Sequence, residues 1–188
     1  MKRRSNQDNE EVVGRRAPAP AETTAGMGMP ALQQRKHLRR LDLIFERHRS
    51  PIFYLTNCVE NRQPILANEM ITTILVEAWR NSCDLYGWSI GRYIIMPDHV
   101  HFFASPGNRE GSDLSSFMSK WKRWTQRQIR KSSANSFAWQ KEFFDHLLRS
   151  DESYARKWEY VRQNPVKKEL VSQPEDWPYQ GEIVLLEW

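Results

Sequence analysis

The sequence predicts an α+β protein in which helices pack on a ferredoxin-like antiparallel sheet. Two observations lead to this class. Apolar segments of strand length alternate with amphipathic segments of helix length, in the order β-α-β-β-α-β-α. The length of 188 residues allows one domain with a proper core and is too short for two. A helix that returns the chain between antiparallel strands then produces a sandwich of this kind.

Four segments are typical of strands, because each is short, apolar and rich in β-branched or aromatic residues. They are Ile52–Thr56, Trp88–Met96, His99–Ala104 and Phe143–Leu148. A proline followed by an aspartate, Pro97-Asp98, marks the turn between the second and third of these segments.

Three segments are typical of helices, because apolar residues recur at helical spacing or a capping residue precedes them. Their predicted extents are Pro64–Gly87, Ser112–Lys131 and Ser150–Gln163. Pro165 lacks a backbone donor and disfavours helical geometry at Asn164. The third helix is therefore expected to end or kink at that point.

Residues 1–34 are rich in Ala, Pro, Gly, Thr and polar side chains and show no hydrophobic period. We expect a disordered tail there and one folded domain over residues 35–188. The formal net charge of +5 resides in residues 1–50, where 11 Lys and Arg face 6 Asp and Glu. The remainder of the chain is balanced.

Composition disfavours several classes of protein. No apolar run is long enough to span a bilayer, and the basic start of the chain lacks the apolar stretch of a signal peptide. Cys58 and Cys83 have no zinc or redox spacing and are typical of thiols in a reducing compartment. We therefore expect a cytoplasmic protein with no membrane partner.

The most informative motif is His99-Val100-His101, in the third predicted strand. Side chains alternate along a strand, so His99 and His101 share one face, roughly 6.6 Å apart at the backbone. Two imidazoles in this arrangement can converge on one divalent metal ion. Structural or surface roles are the alternative, and the motif alone does not decide between them.

Tyr160 and Asn164 form a second motif near the end of the third predicted helix. Their spacing of four places them about 40° apart on one helix face. A tyrosine phenol can attack a phosphodiester, and the resulting ester conserves the energy needed to rejoin the strands. The amide oxygen of Asn164 would then be a third metal ligand. The alternative is a core tyrosine and a helix cap.

The two motifs in register resemble those of the HUH single-tyrosine transposases, where HUH denotes His-hydrophobic-His. The run MPDHVHFF is followed some sixty residues later by WEYVRQNPVKKELV. The chain is most similar to the REP-associated tyrosine transposases in this group, over roughly residues 40–180. Trp139-Gln140, Phe144–Ser150 and Glu175–Tyr179 also fit that subgroup. Glu169, where relatives usually have glycine, and the long N-terminal tail depart from the pattern.

This resemblance implies an HUH endonuclease architecture and a DNA strand transferase. It assigns the nucleophile to Tyr160 and the metal ligands to His99, His101 and Asn164. Mg²⁺ or Mn²⁺ is the implied cofactor, single-stranded or hairpin DNA is the implied partner, and the implied intermediate is a 5′-phosphotyrosine. We expect a nucleoid-associated monomer or homodimer.

Three alternatives remain open. Tyr154 is a rival nucleophile, but it lies about 240° from Tyr160 around the helix, so only one of them can face the metal. His146 is a weaker candidate for the site. A non-catalytic protein that binds hairpin nucleic acid is the alternative function, although binding alone would not need the complete set of site residues.

The segment 114–141 carries seven basic residues and no acidic residue, which predicts contacts with a phosphate backbone. The predicted DNA-binding residues are Lys120, Lys122, Arg123, Arg127 and Arg130. A solvated helix face is the alternative. Trp121 and Trp124 on the same helix would either stack on bases or belong to the core.

Overall fold

The structure, a computed structural model, describes residues 51–107, 113–132, 136–148 and 150–187. The predicted tail and the start of the predicted domain lie outside these residues, so the boundary at residue 35 stays a prediction. Among the described helices, none has both the length and the apolar character needed to cross a membrane.

Five strands form one antiparallel sheet in the order β4-β1-β3-β2-β5. They are β1 (Phe53–Cys58), β2 (Trp88–Met96), β3 (His99–Pro106), β4 (Phe144–Leu147) and β5 (Gln180–Glu182). The central strands β1 and β3 pair directly, and the chain reverses between β2 and β3 at the predicted turn. This is the split βαβ arrangement of the ferredoxin-like fold, which confirms the predicted α+β class.

Helices cover both faces of the sheet. The elements are α1 (Glu69–Arg80), α2 (Ser82–Tyr86), α3 (Leu114–Ser132), α4 (Asp151–Arg162) and α5 (Asn164–Lys167). Helices α1 and α3 share one apolar core, in which the rings of Trp79 and Trp121 stack with centroids 5.8 Å apart. Helix α4 packs Trp158 and Val161 into a second core on the opposite face.

Side chains alternate along β3, so successive residues point to opposite faces of the sheet. Val100 and Phe102 point into the core under α1 and α3. Phe103 points into the core under α4. His99 and His101, at odd positions like Phe103, therefore lie on the α4 face. The strand thus separates an apolar layer from a layer that carries polar side chains.

The helix predicted to open at Pro64 begins instead at Glu69. The side chain of Asn68 accepts a hydrogen bond from the Ile71 amide at 2.9 Å and so caps the helix. The cap satisfies one of the amides that the first turn of a helix leaves unpaired, and this fixes the start of the helix after Asn68. Gly87 ends the helical region as predicted, with a left-handed φ of 72°.

The predicted break before Pro165 is present, since α4 ends at Arg162 and α5 begins at Asn164. Strand β5 was not predicted, because its polar sequence shows no strand pattern. Its position follows from pairing with β2, in which Gly181 faces Tyr93. A Cβ atom at Gly181 would lie 2.7 Å from the Tyr93 hydroxyl, so this approach requires glycine.

Candidate metal and nucleophile site

The two histidines of β3 meet at their Nε2 atoms. These atoms are 3.1 Å apart, and both side chains are buried. Two ligands at about 2.1 Å in adjacent positions of an octahedral ion lie about 3.0 Å apart. The spacing of the Nε2 atoms therefore fits a shared divalent cation, as the common strand face predicted.

His99 is held by a chain of charged groups. Its Nδ1 donates to Asp98 Oδ1 at 2.6 Å, and Asp98 also pairs with the Arg62 guanidinium at 2.8 Å. Burial opposes ionisation of Asp98, but the hydrogen bond from His99 and the electrostatic effects of His99 and the Arg62 guanidinium outweigh it and lower the pKa of this carboxyl. A carboxylate on Nδ1 leaves the Nε2 lone pair of His99 available to a metal.

His101 is oriented by two hydroxyls of β1. The Thr56 Oγ1 and the Tyr54 hydroxyl each lie 2.7 Å from its Nδ1. Because a hydroxyl can donate or accept, this pair tolerates either tautomer of His101. Burial, followed by the electrostatic effects of the neighbouring His99, Arg62 and Lys157, lowers the pKa of His101 well below its usual value. A neutral imidazole is the form that binds metals.

The remaining ligands of such an ion must be of another kind. Within the described part of the chain, no group of three or more His, Cys, Asp and Glu side chains could hold a metal ion. An amide such as that of Asn164, a phosphate oxygen or water would complete the coordination. Asn164 is half-buried at the start of α5, and its side chain makes no hydrogen bond with any described residue.

Tyr160 and Tyr154 differ sharply in their surroundings. The Tyr160 side chain is 60% exposed, and the Lys167 ammonium lies 4.0 Å from its ring centroid. The ring of Tyr154 packs against Phe103 at 4.6 Å, and burial raises the pKa of its phenol. Tyr160 is therefore the more accessible of the two phenols, and its role as the nucleophile stays a prediction.

Lys157 of α4 lies near the rings of two tyrosines, Tyr160 and Tyr54. Its ammonium is 5.0 Å from the Tyr54 ring and 5.8 Å from the Tyr160 ring. Tyr54 in turn stacks on His101, with centroids 5.4 Å apart. Tyr160 and the histidines therefore belong to the same side of the sheet and are connected through Lys157 and Tyr54, which the sequence spacing could not show.

The predicted DNA-binding residues lie on α3, on the opposite face of the sheet from the histidines. Arg123 and Arg127 are exposed and line a concavity of about 370 Å³ together with Arg130. Lys122 and Arg130 have additional structural roles. Lys122 donates to three backbone carbonyls of residues 140–142, and Arg130 donates to the carbonyl of Phe137.

The tryptophans of α3 belong to the core layer. Trp121 is fully buried, so the interpretation that it stacks on bases is wrong. Trp124 is half-buried and packs against the same core. The helical spacing of these residues reflects burial against the sheet, as amphipathic periodicity usually does. His146, the weaker site candidate, is exposed on β4 opposite Tyr54.

An antiparallel ferredoxin-like sheet with paired histidines and an exposed tyrosine on one face is the arrangement expected of a tyrosine transposase. Residues 52–164 match the family model described as "Transposase IS200 like". The match covers more than half of the chain, and the chain therefore belongs to the IS200-like transposase family, an enzyme family that cleaves and rejoins DNA.

Similar proteins support this assignment. A REP-associated tyrosine transposase of Escherichia coli is 27% identical over 130 residues, which cover 68% of this chain and 73% of that protein. A protein of Haemophilus influenzae, provisionally described as a REP-associated tyrosine transposase, is 26% identical over 139 residues, 69% of this chain and 78% of the relative.

A solved structure of a REP-associated tyrosine transposase bound to a REP hairpin has the same fold. It aligns with a TM-score of 0.56 at 22% identity, over 69% of this chain and 75% of that chain.

Sequence reasoning missed the residues that orient the histidines. Asp98 precedes His99 in the sequence, and a carboxylate next to a candidate metal-binding histidine could have been predicted to orient its ring. Tyr54 and Thr56 alternate on the first predicted strand just as the histidines do on the third. Only the register, in which Thr56 pairs with His101, reveals that the two rows share a face.

Replacing Asp98 with asparagine should weaken Mn²⁺ binding by roughly 10- to 100-fold, because partners of this kind raise the basicity of a ligating imidazole. The amide keeps the size and still accepts from Nδ1 of His99, so the fold should survive. Titration calorimetry measures the affinity. Asp84→Asn, at an exposed carboxylate of α2, is the matched control. Equal affinities for Asp98→Asn and the unmodified protein would contradict the role of Asp98.

Proposed function

We propose that the chain cleaves and rejoins single-stranded DNA, at or beside a hairpin, through a 5′-phosphotyrosine formed on Tyr160. The observation that carries this proposal is that Tyr160, His99 and His101 all lie on the side of the sheet that α4 covers. An exposed phenol and two buried imidazoles belong to the same side of one sheet, and the Lys157 ammonium lies 5.8 Å from the Tyr160 ring and 5.0 Å from the Tyr54 ring, which stacks on His101. The solved relative bound to a REP hairpin supports a hairpin as the substrate.

The reaction is a transesterification at phosphorus. The phenol oxygen of Tyr160 forms a bond to phosphorus and loses its proton, while the bond from phosphorus to the 3′ oxygen breaks. The departing 3′ oxygen takes up a proton and becomes a free hydroxyl. The same hydroxyl can attack the phosphotyrosine in reverse, which releases Tyr160 and rejoins a strand without an external energy source.

His99, His101 and Asn164 are the residues that would hold Mg²⁺ or Mn²⁺. The ion, when bound, polarises a phosphate oxygen and orients the phosphorus for in-line attack. Nitrogen ligands suit Mn²⁺, whereas Mg²⁺ is the ion expected from cellular abundance. Asp98, Tyr54 and Thr56 keep the imidazoles aimed at a common point, and burial keeps His101 neutral.

A denaturing gel tests this proposal directly. Labelled single-stranded DNA with a hairpin is incubated with the protein and Mn²⁺, and a covalent protein–DNA band is scored. We expect a band that requires the metal and disappears on protease treatment. Tight binding of the same DNA without a band would favour the alternative of a non-catalytic hairpin-binding protein.

We further propose that α3 provides most of the salt-sensitive affinity for DNA, through Lys120, Lys122, Arg123, Arg127 and Arg130. Each phosphate contact with a single strand contributes about 0.7 to the slope of log affinity against log salt. Replacing Lys120, Arg123 and Arg127 with alanine should therefore flatten the slope by roughly two units. These three leave the backbone contacts of Lys122 and Arg130 intact.

The N-terminal tail is a competing source of basic residues, since residues 1–34 carry five Lys and Arg, although most of the formal excess of residues 1–50 lies in residues 35–50. Deleting residues 1–34 and measuring the same slope by fluorescence anisotropy tests it in parallel. An unchanged slope in the triple variant, together with a large decrease on deletion, would move the DNA-binding surface from α3 to the tail.

A further inference from the structure

An exposed aromatic ring lies next to the histidine site, on the outermost strand of the sheet. Phe144 begins β4 and pairs with Thr56, so its side chain lies on the same face as Thr56. The ring is 41% exposed. It meets the Tyr54 ring nearly edge-on, with centroids 6.2 Å apart and an interplanar angle of 67°. Tyr54 stacks on His101, so adjacent rings connect the histidine site to the solvent-exposed sheet edge.

A positive charge lies against the same Tyr54 ring. The Lys157 ammonium is 5.0 Å from the ring centroid of Tyr54. Within the described residues, Lys157 forms no ion pair with a carboxylate, and its contacts are with the aromatic rings of Tyr54 and Tyr160. Its charge is therefore available to an anion that binds beside Tyr54 and Tyr160.

Proteins that bind single-stranded nucleic acid combine these two elements, an aromatic ring for a base and a cation for the backbone. On the basis of the function proposed above, we propose that Phe144 and Lys157 form a subsite for one nucleotide next to the reacting phosphate. The Phe144 ring stacks on the base, and Lys157 binds a phosphate of the same nucleotide. The subsite orders the single strand at the point where Tyr160 attacks.

The test measures binding by a Tyr160→Phe protein, so that no covalent reaction intervenes. The probe is a synthetic DNA hairpin with single-stranded flanks, with an abasic nucleotide placed in turn at each flank position. Stacking on one aromatic ring corresponds to about a 5- to 150-fold change in affinity. We expect one abasic position to weaken binding by this factor, and Phe144→Ala to weaken binding of intact DNA equally.

The combination of the two changes is the decisive comparison. DNA that lacks the stacked base should bind equally well to the protein with and without the Phe144→Ala change, and Phe144→Trp should retain the affinity for intact DNA. Lys157→Gln should reduce the salt slope by about 0.7, whereas Phe144→Ala should leave the slope unchanged. Met70→Ala and Arg80→Gln, at exposed positions of α1 across the sheet, are the matched controls and should change neither quantity.

The subsite is refuted if Phe144→Ala leaves the affinity for DNA unchanged. It is also refuted if Phe144→Ala reduces the affinity by the same factor whichever flank position is abasic. If the unmodified protein captures DNA covalently but Phe144→Ala does not change the binding affinity, only the proposed subsite is wrong. If the binding results are as expected but the unmodified protein does not capture DNA covalently, only the proposed cleavage reaction is wrong. Absence of DNA binding would remove both.

Discussion

Tyr160→Phe is expected to abolish covalent DNA capture and strand cleavage, with a loss on the order of a thousandfold or more. The substitution deletes the only atom that would bond to phosphorus and keeps the ring. Because the side chain is 60% exposed, the free energy of unfolding should change by no more than about 0.5 kcal/mol. Covalent capture on a denaturing gel and thermal unfolding measure the two effects separately.

Tyr154→Phe is the matched control, since it deletes the same atom from the same helix. The Tyr154 ring packs on Phe103 and lies beside the Arg92 guanidinium, whereas the Tyr160 ring is exposed. The variant should capture DNA as the unmodified protein does. A covalent band that survives Tyr160→Phe and vanishes with Tyr154→Phe would show that the nucleophile is wrongly assigned.

Replacing both His99 and His101 with alanine should eliminate Mn²⁺ binding and Mn²⁺-dependent cleavage. The expectation follows from the 3.1 Å separation of the two Nε2 atoms, which indicates that both imidazoles bind the same ion. The double substitution therefore removes both nitrogen ligands of that ion. Metal binding to the native state should stabilise the unmodified protein by about 2.7 kcal/mol when free Mn²⁺ is a hundred times its Kd. The double variant should lose this increment.

Thermal unfolding with Mn²⁺ and with a chelator measures the increment within each protein, so a lower intrinsic stability of the double variant does not confuse the result. His146→Ala is the matched control, because this exposed histidine lies on β4 on the same sheet face. It should retain both the increment and the cleavage. Equal Mn²⁺ binding by the double variant and the unmodified protein in calorimetry would remove the metal site.

Several elements were predictable because local chemistry dictates them. β2 was predicted with its observed limits, since nine mainly apolar and aromatic residues lie between Gly87 and a proline turn. A cap at Ser150 or Asp151, of which the structure uses Ser150, and the break before Pro165 were also predicted, because each depends on hydrogen bonds within a few residues. Elements that depend on distant partners, such as β5, were not predicted.

The candidate site likewise has features that local sequence predicts and features that depend on distant residues. That His99 and His101 share a face follows from strand alternation, a property of the chain itself. That Tyr54 and Thr56 hold His101 follows from the register between β1 and β3, strands separated by more than forty residues. No local pattern encodes that register, because it is set by burial of the whole apolar face.

The sequence by itself determined the fold class, the family resemblance and the candidate residues, because periodicity, turn residues and motif spacing are properties of neighbouring positions. Only the tertiary structure decided how those residues relate in space. It buried Trp121 in the core, left Tyr160 exposed while Tyr154 packs on the sheet, and placed α3 across the sheet from the histidines. Helical spacing says which side chains share a face, but only packing decides which face meets the sheet.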